Sequence, residues 1–189
     1  ESTMRSTIRM ALAALAVILP LSACSSGGSG LPLLESAKTD DANYRLGPGD
    51  KLHIQVLGAE DLTGDYAVGD NGTVSSPLIG DIKAAGLTRA QVERDMEKKL
   101  GQGYIRNPKV SVTILAYRPF YIYGEVTKPG EYPYASGMRV MSAVATAGGF
   151  TYRANEGYVV VTRNGEQHRA LLNTPIQPDD VIRVPERYF

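Results

Sequence analysis

The sequence predicts an α+β fold in two consecutive units, and three observations carry that expectation. Leu52, Ile54 and Val56 alternate with Lys51, His53 and Gln55, and Val110, Val112 and Ile114 alternate in the same way. This is the period-two signature of half-buried strands. Between them, Val92, Met96 and Leu100 recur every four residues, which is the stripe of an amphipathic helix. Beyond residue 118 a second, shorter set of strand, helix and strand signals follows.

Within the first unit, residues 43–117, Arg45-Leu46-Gly47-Pro48-Gly49-Asp50 reads as a turn ahead of the strand at Leu52. Tyr66-Ala67-Val68 reads as a second strand, and Asp70-Asn71-Gly72 as a hairpin turn into Thr73-Val74-Ser75. Pro77 belongs at a strand edge or bulge, because proline cannot donate to a central ladder. At the helix start Thr88 can cap, Gln91 can close a capping box and Leu87 can staple onto Val92. Gly101 and Gly103 stop the helix, and Asp95 and Lys99 can pair on its surface.

In the second unit, residues 118–189, Phe120, Ile122 and Gly124 lead through Val126 to Lys128-Pro129-Gly130 and back along Tyr132. Pro-Gly at the centre of that turn predicts type II geometry, with glycine at positive φ. Val140, Met141, Val144 and Ala147 predict a short helix ended by Gly148-Gly149. Val159-Val160-Val161 reads as a buried strand and Asn164-Gly165 as a tight hairpin. Val181, Ile182 and Val184 close the sheet after Asp179-Asp180. A hairpin, a helix packed on it and more strands outline a β-grasp.

Composition narrows the function. The chain has 189 residues, 43% of them hydrophobic, enough for one or two cores. Lys+Arg and Asp+Glu are both 20, so bulk charge does not draw it to a nucleic acid. A single cysteine excludes an internal disulfide and a cysteine-cluster zinc site, and two isolated histidines leave little for a histidine-based metal site. No cofactor and no catalytic residue is expected.

The first thirty residues are the most specific. Arg5 and Arg9 precede an apolar run from Met10 to Leu19, the length of a secretory signal core and short of the ~30 Å hydrocarbon layer. Leu21-Ser22-Ala23-Cys24 resembles a bacterial lipobox, so residues 1–23 are expected to be a signal peptide and Cys24 the lipidated residue. Ser25 and Ser26 follow without an Asp, which by resemblance to lipoprotein sorting in Gram-negative bacteria favours the outer membrane. Residues 24–42, rich in small and polar side chains, read as a flexible tether.

The remaining chemistry-bearing residues have plainer readings. His53 falls on the polar phase of its strand and His168 follows a hairpin turn, so both are expected as solvated side chains. Glu125 and Glu131 flank a turn as a glycosidase pair would, but exposed acids are common on paired strands. Asp40-Asp41 and Asp179-Asp180 suit a linker and a turn. Gly27-Gly28-Ser29-Gly30 lacks the Lys-Ser/Thr of a phosphate loop. Tyr121, Tyr123, Tyr132 and Tyr134, with Tyr117, form an aromatic cluster suited either to core and subunit interface or to stacking on sugar rings.

At these residues the chain resembles a family, the polysaccharide export outer-membrane lipoproteins of the Wza type. Tyr44 to Asp50, Gly72 with Pro77-Leu78-Ile79-Gly80 and Gly86-Leu87-Thr88, and Asn107-Pro108-Lys109-Val110-Ser111-Val112 are similar to its export domain. Gly124 to Gly130, Ala147-Gly148-Gly149 and Asp180 to Pro185 are similar to the soluble ligand-binding β-grasp (SLBB) domain that follows.

The resemblance implies a non-enzymatic, homo-oligomeric periplasmic ring. It would be anchored to the outer membrane and pass exopolysaccharide or capsular polysaccharide in concert with an inner-membrane copolymerase. Gly124, Lys128, Pro129 and Gly130 would shape a hairpin near subunit or partner contacts. Long members repeat the β-grasp domain and end in an amphipathic pore helix. One such domain and no such helix are expected here, hence also a separate outer-membrane pore protein. A small outer-membrane β-barrel and a periplasmic glycan-cleaving enzyme are the alternative expectations. The capped helix speaks against the first and the want of an acid–base pair in a cleft against the second.

Overall fold

A computed structural model describes residues 30–34 and 42–187. Cys24, the signal segment and most of the expected tether lie outside the described residues. The described chain is α+β, and among its residues no helix is long and apolar enough to cross a membrane.

The first unit is built around β1 (Lys51–Val56), flanked by β2 (Gly64–Ala67) and β5 (Val110–Ala116), both antiparallel to it. Leu52, Ile54 and Val56 are buried while Lys51 and Gln55 are exposed, as the alternation requires. Helix α1 (Arg89–Leu100) lays Val92, Met96 and Leu100 on this sheet. The Thr88 amide donates to Gln91 Oε1 at 2.8 Å, so the predicted capping box closes. The helix also satisfies the free edge of β5: Val110 and Val112 amides donate to Glu97 Oε1 (3.1 Å) and Glu93 Oε1 (2.9 Å). An edge whose donors are occupied is closed to further strand pairing.

One expectation is corrected here. The turn at Asp70-Asn71-Gly72 does not join two paired strands. β3 (Thr73–Ser76) pairs instead with β4 (Gly80–Lys83) in a separate two-stranded ladder, across the Pro77-Leu78-Ile79 connection. Val74 and Ile82 face each other in that ladder and both are buried in the first core, so the hairpin serves as a cover for β1 and α1.

The second unit is a five-stranded sheet in the order β7-β6-β10-β8-β9 with one helix. β6 (Phe120–Gly124) and β7 (Gly130–Tyr132) form the first hairpin, β8 (Val159–Arg163) and β9 (Glu166–Ala170) the second. Asn164 (φ 52°) and Gly165 (φ 83°) are both left-handed, the requirement of a type I′ hairpin turn. β10 (Val181–Val184) does more than close the sheet. It inserts at the centre, parallel to β6 and antiparallel to β8. Helix α2 (Val140–Thr146) covers the inner face with Val140, Ala143 and Val144. Gly148 and Gly149, both at positive φ, end it as expected.

The type II turn expected at Pro129-Gly130 is also corrected. Gly130 is the first residue of β7 and has no positive φ. The left-handed residue of this loop is Gly124 (φ 90°), where the chain leaves β6 beside β10. A Cβ there would lie 2.2 Å from the Val184 carbonyl oxygen, so the close pairing of two central strands forbids any side chain.

Two hydrophobic clusters follow the two units, one from Tyr44 to Val112 and one from Phe120 to Val184, and Tyr117 packs against both. Within the stretch expected as a tether, Leu33 pairs in parallel with Arg169. The Leu34 amide donates to the Arg169 carbonyl and the Arg169 amide to that of Pro32, both at 2.8 Å. This segment adds a short strand to the edge of β9.

Gly124→Ala is expected to lower the unfolding free energy by more than ~2 kcal/mol, because backbone must move. Gly165→Ala, with open space at its Cβ, carries only the left-handed strain of ~1 kcal/mol. Urea titration of the two variants measures the difference.

Candidate functional site

The two units meet at a pair of β-turns of the same design. In the first, Gly47-Pro48-Gly49-Asp50, the Gly47 amide donates to Asp50 Oδ2 (2.8 Å) and the Asp50 amide to the Gly47 carbonyl (3.1 Å). In the second, Gln177-Pro178-Asp179-Asp180, the Gln177 amide donates to Asp180 Oδ2 (2.7 Å) and the Asp180 amide to the Gln177 carbonyl (3.2 Å). The third residue of each, Gly49 (φ 92°) and Asp179 (φ 72°), is left-handed. Each turn delivers the chain into a central strand, β1 or β10. Both closing aspartates are fully buried, at 0% and 1% exposure.

Each buried carboxylate is matched to an arginine. Arg163 forks onto Asp180, with Nε to Oδ1 at 2.8 Å and Nη2 to Oδ2 at 2.7 Å. Such a bidentate pair satisfies both charges. Asp50 is held differently. Its oxygens accept the Tyr44 hydroxyl (2.8 and 3.0 Å) and the Arg118 backbone amide (2.9 Å), while Arg118 Nε stands 3.5 Å away. Arg118 belongs to the segment between the two units, so the first turn reaches across the joint. Its guanidinium lies over Gly47, where a Cβ would meet Nη1 at 2.4 Å and Cζ at 2.6 Å. Glycine at 47 is what admits it.

Aromatic rings continue the joint. Tyr44, Tyr117 and Tyr134 follow one another edge to face, with centroids 4.9 and 5.4 Å apart. Burial, and then the Asp50 charge, push the Tyr44 phenol well above its ordinary pKa, so it remains a hydrogen-bond donor at neutral pH.

Above this joint lies a cleft of about 340 Å³ lined by Asn43, Tyr44, Arg45, Arg118, Arg163, Asn164, Gln177, Pro178, Asp179 and Asp180. Its walls come from both units, and its lining is dominated by polar side chains. Clefts between domains are common ligand sites.

The structure distributes the sequence-predicted residues unevenly. Tyr121 and Tyr123 are exposed, at 38% and 45%, on the outer face of the second sheet. Tyr132 stacks on Phe120 at 5.9 Å and donates its hydroxyl to the Lys128 carbonyl. Tyr134 is buried against Tyr117. The four expected contact tyrosines thus divide into two that are accessible and two engaged in packing. Lys128 and Pro129, in the loop between β6 and β7, and Gly130, at the start of β7, are exposed, and none of the three lines the cleft. His53 hydrogen-bonds Asp65 on the surface, and Glu125 accepts from the Thr151 hydroxyl. Among the described residues no group of three or more His, Cys, Asp or Glu side chains is placed to hold a metal ion. Arg118, Arg163 and the cleft were not anticipated. Their sequence signal was the likeness of Gly47-Pro48-Gly49-Asp50 to Gln177-Pro178-Asp179-Asp180, each followed by alternating apolar residues.

The fold and the joint define a class: two α+β modules in tandem, coupled through a buried carboxylate, with a polar cleft between them. The first unit matches the polysaccharide biosynthesis/export protein family. That family's model matches residues 38–115, and the SLBB domain model matches residues 119–169. Among curated relatives, the exopolysaccharide production protein ExoF of Rhizobium meliloti is 38% identical over 72% of this chain and 34% of its own length. The EPS I polysaccharide export outer membrane protein EpsA of Ralstonia nicotianae is 29% identical over 82% of this chain and 50% of its own. The polysialic acid transport protein KpsD of Escherichia coli is 26% identical over 69% and 24%. The chain therefore spans between a quarter and a half of the length of these relatives.

Asp50→Ala leaves three buried donors without their acceptor and is expected to cost ~3–5 kcal/mol of stability. Asp179→Asn, at an exposed position that tolerates left-handed backbone, is expected to stay within ~0.5 kcal/mol of the parent. Denaturant unfolding compares them. Alkali provides a further check. The unfolded Tyr44 phenol loses its proton near pH ~10 while the folded one holds it. Stability is then full below that pH and falls above it, and Tyr44→Phe flattens the alkaline decline when unfolding is followed at pH 8 and pH 11.

Proposed function

We propose that this chain is a non-enzymatic component of a polysaccharide export route in a Gram-negative cell envelope, passing an exopolysaccharide or capsular polysaccharide outward. The observation that carries the reading is the ordered match of two domains, export then SLBB, across one continuous structure. Relatives named for exopolysaccharide production, EPS I export and polysialic acid transport align over most of this chain.

The finer reading adds place and assembly. Cys24, behind Leu21-Ser22-Ala23, carries a lipid anchor that holds the chain at the periplasmic face of the outer membrane. Copies assemble as a ring, and an inner-membrane copolymerase delivers the polymer to it. The outer face of the second sheet, with Tyr121 and Tyr123 exposed, suits contact with a neighbouring copy or with the polymer. The hairpin carrying Gly124, Lys128, Pro129 and Gly130 suits a subunit or partner contact. The coupling of the two domains through Asp50 and Arg118 supports this reading, because a conduit wall needs modules that keep their relative positions.

Deletion of the gene is expected to remove the polymer from the culture medium, and complementation to restore it; unchanged secretion in the deletion strain would contradict an export role. Cys24→Ser is expected to shift the chain from the membrane fraction to the soluble periplasmic fraction on cell fractionation. The parental distribution in that variant would remove the lipid anchor from the account.

A further inference from the structure

The interdomain cleft has donors that the fold does not use. Arg163 is committed through Nε and Nη2 to its fork onto Asp180 and to the Pro175 carbonyl. Arg118 is not: its side-chain hydrogen bond goes to the Tyr44 hydroxyl at 3.3 Å, and its nearest carboxylate oxygens stand 3.5 Å (Asp50) and 3.9 Å (Asp179) away. Arg45 on the same wall donates Nη1 to the Gly86 carbonyl and has no carboxylate within ion-pair distance among the described residues. Two arginines whose guanidinium groups no carboxylate grips closely therefore line one small polar cavity. Asp50, the carboxylate nearest Arg118, already accepts from Tyr44, Gly47 and the Arg118 backbone.

The rest of the lining selects among anions. Asn43 and Asn164 bring planar amides, each with a donor and an acceptor side by side, and Asp179 brings an exposed carboxylate. Paired donors and acceptors of this kind match neighbouring hydroxyl groups. A carboxylate on the wall would repel a bare polyanion, yet it accepts two hydroxyl donors well. A volume of about 340 Å³ is at the small end for ligand sites, the scale of one or two sugar rings.

We propose that this cleft binds an acidic sugar residue, its carboxylate on the Arg118 and Arg45 guanidinium groups and its hydroxyls on Asn43, Asn164 and Asp179. The assignment rests on the export reading for its biological sense and deepens it by naming the kind of polymer unit that the joint between the domains recognises. Asp179 swings its weak contact from Arg118 to a sugar hydroxyl as the ligand enters. The cost is small because the bond it leaves is long.

The test is a titration of the purified full chain with D-glucuronate, D-galacturonate, D-glucose and inorganic phosphate, followed by amide and arginine side-chain NMR shifts. The two uronates are expected to shift residues 43–45, 118, 163–165 and 177–179, with glucose weaker by about tenfold for want of the charged fork. Arg118→Lys keeps the charge and loses the fork. Because Arg118 also supports the joint, Arg45→Gln and Asn164→Gly, at exposed positions, serve as the second set. Each is expected to weaken uronate binding severalfold with the remaining spectrum unchanged. Equal shifts from glucose and uronate would overturn the acidic specificity. Equal shifts from phosphate and uronate would reduce the cleft to an anion site and overturn the sugar assignment. No shift from either uronate would overturn the proposal altogether. That failure is separable from failure of the export reading, which is decided by secretion in the deletion strain.

Discussion

A carboxylate that has left water must be met by donors, and the Asp50 carboxylate is met from three directions. Its partners are the start of its own turn, the tyrosine six residues before it and the backbone of Arg118, sixty-eight residues further along the chain. Breaking any of these leaves a polar group buried without a partner, the kind of defect folded proteins tolerate least. The arrangement does two things at once. It aims the chain into β1, the central strand of the first sheet, and it ties the first residues after that domain to its core. The edge-to-face run of Tyr44, Tyr117 and Tyr134 carries the same constraint into the second core.

The second domain repeats the device with Asp180, aiming the chain into β10, its own central strand. The two copies differ in one respect that matters. Arg163 pairs with its aspartate from within the same domain and saturates it. Arg118 comes from the joint and is held by backbone and a phenol, leaving its guanidinium only loosely matched. The turn that stabilises one domain and the turn that couples both thus have the same backbone and different electrostatics. Open donors at the joint follow from that difference, and so does the polar character of the cleft above it.

Local signals in the sequence translated directly into structure. The alternation in β1 and β5, the capping box before α1, the glycines after α2 and the Asn164-Gly165 turn depend on residues a few positions apart, and each formed as expected. The misses were non-local. Residues 73–76 pair forward with β4, because burying Val74 against Ile82 completes the first core. Gly130 is an ordinary strand residue because positive φ is needed at Gly124, where β10 comes within van der Waals reach of β6. The tyrosines could not be sorted by spacing alone. Tyr132 and Tyr134 turn inward only because Phe120 and Tyr117 are there to receive them. Arg118 gave no local signal, since its partners are set by where Asp50 and Gly47 arrive in space.

Under the proposed export role, a conduit wall needs the two modules to act as one body, and the Asp50 joint is the element that couples them. Hydrogen exchange of second-domain core amides, such as Ile122 and Val161, in an Asp50→Asn variant tests this most directly. The account predicts that exchange in the second core accelerates along with that in the first, because the joint transmits the loss. Protection in the second core equal to that of the parent, with only the first domain loosened, would mean that the domains are stabilised independently and would contradict it.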